Sequence, residues 1–218
     1  MWLTKLTKGR AKKRKATKAE TLSFECSFFR NILGNPKNNL LCQEKKNEAK
    51  EYYKQALFFS QQMIKSGKEV EVYGEILNSL FMIASYEKDH KSAYAYNTEL
   101  LTFLIEKIGD NSEIWKSECV IALFNHSFLS NLLGKFDEGE QYSLEALKVD
   151  STKHIAYTNL AAAYLFQGKV EEAEKLYRQF KEEFREAMLD DFAEFERLGV
   201  IPEERKKDVE RIKAVLKE

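Results

Sequence analysis

Three histidines, three cysteines and one acidic cluster are the residues of this 218-residue chain whose types could support catalysis or metal binding. A general base needs an orienting partner, and a structural zinc site needs four ligands at close, paired spacing. His90, His126 and His154 are far apart in the chain; His90 and His154 fall at helix starts or turns, and His126 takes a packing position. Cys26, Cys42 and Cys119 show neither CxxC spacing nor a nearby histidine, and each sits in a helical apolar pattern that predicts a small buried hydrophobe. Asp190 and Asp191, with Glu194 and Glu196, would suit acid/base or metal chemistry, but they read as the solvated outer side of an amphipathic helix. No nucleophile elbow, Walker loop, zincin helix or dinucleotide fingerprint is present. The expectation is a protein with no catalytic residues, no metal ligands and no cofactor. Asn125 and Asn159 carry a different chemistry, since an amide offers two donors and an acceptor to a backbone regardless of its sequence.

The elements that position these residues must be helices. Nine Gly and two Pro are too few for the turns of β-sandwiches, barrels or Gly-rich phosphate loops, while 44% hydrophobic and 32% charged residues suit a helical, solvated chain. No apolar run approaches the roughly 18 residues of a membrane span, and the cysteine usage fits a reducing cytoplasm. The net charge of zero hides an asymmetry: residues 1–20 hold eight basic residues against Glu20, leaving the remaining 198 at minus seven. That block reads as a flexible basic tail. It suits an electrostatic arm for nucleic acid or anionic lipid, a nuclear import signal at residues 12–15, or simply a solvated tail. A nucleic-acid partner is expected only through it. No apolar segment follows the positive charges, so a secretory signal is not expected.

Self-comparison then sets the fold. Gly134-Lys135-Phe136-Asp137-Glu138-Gly139-Glu140 aligns with Gly168-Lys169-Val170-Glu171-Glu172-Ala173-Glu174 at a spacing of 34, which Asn125 and Asn159 share. The later unit reads Tyr157-x2-Leu160-Ala161-x2-Tyr164, then Gly168, then Ala173-x3-Tyr177. Positions 157, 160, 161 and 164 form one helical stripe, the small alanines let two helices approach, and Gly168 suits the positive φ of a helix end. This pattern resembles the tetratricopeptide repeat. Residues 120–153 keep the turn and Ala146 but place His126 and Ser130 where Leu and Tyr are expected. Leu77, Leu80, Phe81 and Ala84, followed by Ala93, suggest a longer unit, with 12 extra residues between Ile105 and Ser117. A most degenerate unit is read at residues 22–65. After Tyr177 the apolar spacing runs on through Phe184, Met188, Leu189, Phe192 and Phe195 to Gly199, and Pro202 opens a last helix with Val209, Ile212, Val215 and Leu216 on one face.

The resemblance implies an all-α, right-handed superhelical solenoid of antiparallel helix hairpins: a tail at 1–20, repeats at 21–187, clearest at 120–187, and capping helices at 188–218. It implies a non-catalytic scaffold or adaptor binding a protein or peptide partner in a concave groove. In that frame Asn125 and Asn159 face the groove and set register, beside Phe124, Phe128, Asn131 and Leu132 on one helix and Ile155, Thr158, Ala162 and Phe166 on the next. Phe124, Phe128 and Phe166 are the expected specificity residues. Two alternatives stand: a regulatory or sensor module acting on a separate effector chain, and extra helices that fill the groove and turn these residues into core.

Overall fold

A helix hairpin needs, at its turn, a residue that tolerates left-handed backbone and a way to satisfy the last carbonyls of the first helix. Among the described residues the chain solves this four times in one way. Lys88, Gly134, Gly168 and Gly199 have φ of 57°, 72°, 87° and 64°. At each, the residue's own N–H donates three residues back, to Ser85, Asn131, Leu165 and Glu196, and the next N–H donates five back, to Ala84, Ser130, Tyr164 and Phe195, over 2.8–3.2 Å. This is the Schellman closure, repeated.

The structure, a computed structural model, describes residues 41–65, 73–108 and 113–218, and all regular elements among them are helical. In order they are α1 (Leu41–Lys65), α2 (Tyr73–Tyr86), α3 (His90–Ile108), α4 (Glu113–Leu132), α5 (Phe136–Val149), α6 (Ala156–Phe166), α7 (Val170–Leu198), a 3-10 turn (Glu203–Arg205) and α8 (Lys206–Lys217). The basic tail and residues 22–33 lie outside the described residues. No described helix is long and apolar enough to cross a membrane.

The described residues divide into two compact units, one ending at Ile83 and the other running from Ala84 to Glu218. In the first, α1 buries Tyr53, Ala56 and Ser60 on one face, and α2 buries Ile76, Leu77, Leu80 and Phe81. In the second, consecutive helices from α3 to α8 pack as neighbours. The 12 extra residues lengthen helices: α3 and α4 have 19 and 20 residues, against 14 and 11 in α5 and α6. Ala161 and Ala173 are fully buried where α6 meets α7, with Tyr177 beside them and Tyr157 stacked on Phe180 at 4.5 Å. Between α4 and α5, buried Gly139 plays the role of Ala173: the Ser127 hydroxyl donates to the Gly139 carbonyl, and a second hydroxyl, Ser143, lies 2.6 Å away.

The long helix expected through Phe184 is present but broken. Phe184 has φ −128° and ψ 18°, and beyond it residues 185–198 turn back, so that Phe192 meets Tyr177 at 5.4 Å. A straight helix would hold residues 15 apart at roughly 22 Å. The second half of α7 and α8 thus form a further hairpin, closed by the same turn as those at Gly134 and Gly168. Met188, Phe192 and Phe195 are buried in it, each burial contributing about 1.5–3 kcal/mol. The apolar stripe of α8 is Val209, Ile212, Val215 and Leu216, as its spacing predicts.

Candidate functional site

The expected groove residues belong to α4 and α6, which lie side by side and are tied by their asparagines. The Asn131 amide donates to the Asn159 carbonyl at 2.9 Å, and the Asn159 amide donates back to the Phe124 carbonyl at 3.0 Å. A helical carbonyl has a second lone pair to accept such a bond. Asn131 and Asn159 are buried, as are Leu132 and Ala162. Thr158 is buried too, its hydroxyl donating to the Ile155 carbonyl within its own first turn. Phe124, Asn125, Phe128 and Ile155 are half-buried and keep some accessible surface.

The aromatic members converge on one side chain. Phe195 lies edge-on to Phe166 at 5.1 Å and 6.0 Å from Phe128, and Phe166 also meets Phe136 at 5.0 Å. Phe166 is therefore buried by the second half of α7, which rests on the α4/α6 face. Part of the expected groove face is thus covered by the second half of α7, while Phe124, Asn125, Phe128 and Ile155 keep accessible surface.

A charged clasp fixes this helix at its far end. The Glu194 carboxylate accepts from Lys88 Nζ at 3.2 Å and from Arg197 at 2.6 and 2.8 Å, and lies 3.3 Å from His90 Nε2. These donors, Arg197 first, hold its pKa down to about 2 despite partial burial. Three residues earlier, Asp191 has no such help: burial, then the neighbouring Asp190 charge, pushes its pKa up to about 7. The solvated acidic face read from the sequence is thus corrected. Asp190 and Glu196 are exposed, but Asp191 and Glu194 are half-buried. Spacing held the signal, since 188, 191, 192 and 195 share one stripe.

The histidines are not brought together. His126 is buried between the rings of Tyr94 and Tyr142, each 4.4 Å away, and burial lowers its pKa to about 4. Its Nδ1 is 3.3 Å from the Asn97 amide, which also donates to the Ala122 carbonyl. Above this cluster, the Tyr94 hydroxyl donates to Glu138 at 2.6 Å and accepts from Lys135 at 2.9 Å. His90 starts α3 and His154 is exposed beside Phe180. Cys119 is a buried free thiol whose pKa burial raises. Among the described residues, no group of three His, Cys, Asp or Glu could hold a metal ion.

The face brings together Phe128, Phe166 and Phe195, with half-buried Phe124 and Asn125 on α4, and Lys88 and His90 beside Glu194. Sequence reading placed Phe195 on an apolar stripe, Glu194 on an acidic face and Lys88 in a hairpin turn, but did not foresee that Phe195 meets α4 and α6 or that Glu194 meets Lys88, which depends on the break at Phe184. No curated protein sequence matches the chain. Residues 155–180, which span α6 and the start of α7, match a family model described as the tetratricopeptide repeat.

Proposed function

For a chain that carries a tetratricopeptide repeat, a module suggestive of protein–protein interaction, we propose non-catalytic recognition: the α4/α6 face binds a peptide segment of a partner protein, and the chain serves as a scaffold or adaptor in the cytoplasm. The observation that carries this reading is Phe195, a side chain of a helical segment seated on Phe128 and Phe166 of that face. Phe124, Asn125 and Phe128 would supply the accessible contacts, while Asn131, Thr158, Asn159 and Phe166 shape the seat from beneath.

A photo-crosslinking amino acid at position 125 tests this. It is expected to trap a partner from native lysate that the same group at exposed Leu144, on α5, does not. Crosslinks from position 144 alone would move recognition to the other side of the hairpins. The regulatory or sensor reading is favoured by the break at Phe184, since hinge movements are absorbed at such points.

A further inference from the structure

We propose that residues 185–198 are a resident occupant of the α4/α6 face, and that the partner which replaces them is an acidic amphipathic helix presenting two aromatic side chains three residues apart with an acid between, as Phe192, Glu194 and Phe195 do. The inference rests on the recognition reading above and names the chemistry of its ligand.

Three observations support it. First, the seat and the clasp match one helix face: Phe195 fills the space between Phe128 and Phe166, and Glu194 reaches the basic turn at Lys88 and His90, 106 residues away in sequence from Lys88. A partner with the same aromatic-acid spacing would meet the same seat and the same charges. Second, the segment is bounded by two breaks in regular helix, Phe184 with φ −128° and ψ 18° and left-handed Gly199. Such points absorb the dihedral change of a hinge. Helix α8 is also paired to the first half of α7, Arg211 to Glu174 at 3.2 Å, so the movement of 185–198 is taken up at both breaks. Third, the hold is weak where it is polar. Lys88 is mostly exposed, so its ion pair contributes little, and Asp191 is enclosed without a cationic partner.

The test uses a fluorescent peptide with this chain's own residues 185–199, added to the full-length protein and followed by anisotropy. Wild type, with its face covered, should bind weakly, because apparent affinity falls with the fraction of open molecules. Glu194→Gln, which loosens the clasp, should bind a few-fold more tightly, about two- to fivefold, and a peptide carrying Phe192→Ala and Phe195→Ala should bind neither protein. An equal affinity for wild type and variant, or none for both, overturns the proposal. A Glu194→Gln protein that forms a dimer and ignores the peptide also overturns it, because the occupant would then be a second copy.

Hydrogen exchange on unmodified wild type guards against a variant that merely misfolds. Amides of 185–198 should exchange at least about tenfold faster than those of 156–166, as expected for local opening. Matching protection in the two segments overturns the proposal, making 185–198 ordinary core. If the peptide fails while position 125 still traps a partner, recognition at the face stands without a resident helix. If both fail, the recognition reading falls as well.

Discussion

Gly139 and Asn131 show how tightly the α4/α5 contact is set. A Cβ on Gly139 would overlap the amide oxygen of Asn131, while the amide nitrogen of the same side chain is committed to the Asn159 carbonyl. The side chain cannot withdraw without giving up a buried hydrogen bond. Gly139→Ala is expected to destabilise by about 2 kcal/mol, as overpacking does, measured by urea unfolding. In an Asn131→Ala background the same substitution should cost clearly less, because the two sites share one space. The 34-residue spacing of Asn125 and Asn159 was legible in the sequence, and so was their donor chemistry. Their acceptors were not, since every helical residue offers a carbonyl and only packing decides which one is near. Asn159 found Phe124 of the adjacent helix; Asn125 kept accessible surface.

At the scale of the element, the second half of α7 carries both an apolar face and a misplaced charge. Asp191 has its carboxyl raised from 3.8 to about 7, so the folded state is disfavoured once the carboxyl would ionise in the unfolded chain. The penalty is absent below about pH 4, grows from there to about pH 7 and is constant above. Glu194, lowered from 4.5 to about 2, acts in the opposite sense, its contribution fading as pH falls through that range. Comparing wild type with Asp191→Asn cancels the Glu194 contribution. The variant should match wild type near pH 4 and exceed it at pH 7.5 by on the order of 2–4 kcal/mol, at about 1.4 kcal/mol per unit of pKa displacement. Melting curves across pH would show this; a difference that does not change with pH would contradict it. The stripe of Met188, Phe192 and Phe195 was visible from spacing alone, as was the stop at Gly199. The break at Phe184 was not, because neither Gly nor Pro marks it and the helical period continues across it. Packing of Phe192 on Tyr177 in the first half of α7, and of Phe195 on Phe166 of α6, accompanies it.

Across the molecule, one turn design recurs at 88, 134, 168 and 199. Sequence comparison detected the pair at 134 and 168, where spacing and neighbours agree. It also read a hairpin around residue 88 and a helix stop at Gly199, but not that these share the turn design of the central pair, since the 34-residue spacing does not extend to them. The four turns differ in one respect: three use glycine and the first uses lysine. Left-handed backbone costs a non-glycine residue roughly 1–2 kcal/mol, yet the ammonium of Lys88 is one of the groups that pins Glu194. Lys88→Gly should therefore raise the melting temperature slightly while increasing uptake of the 185–199 peptide by anisotropy. If both measurements fell together, backbone and side chain would not be separable. Heat resistance and readiness for a partner are then set by two parts of a single residue, and a screen for sturdier variants would select more open ones without intending to.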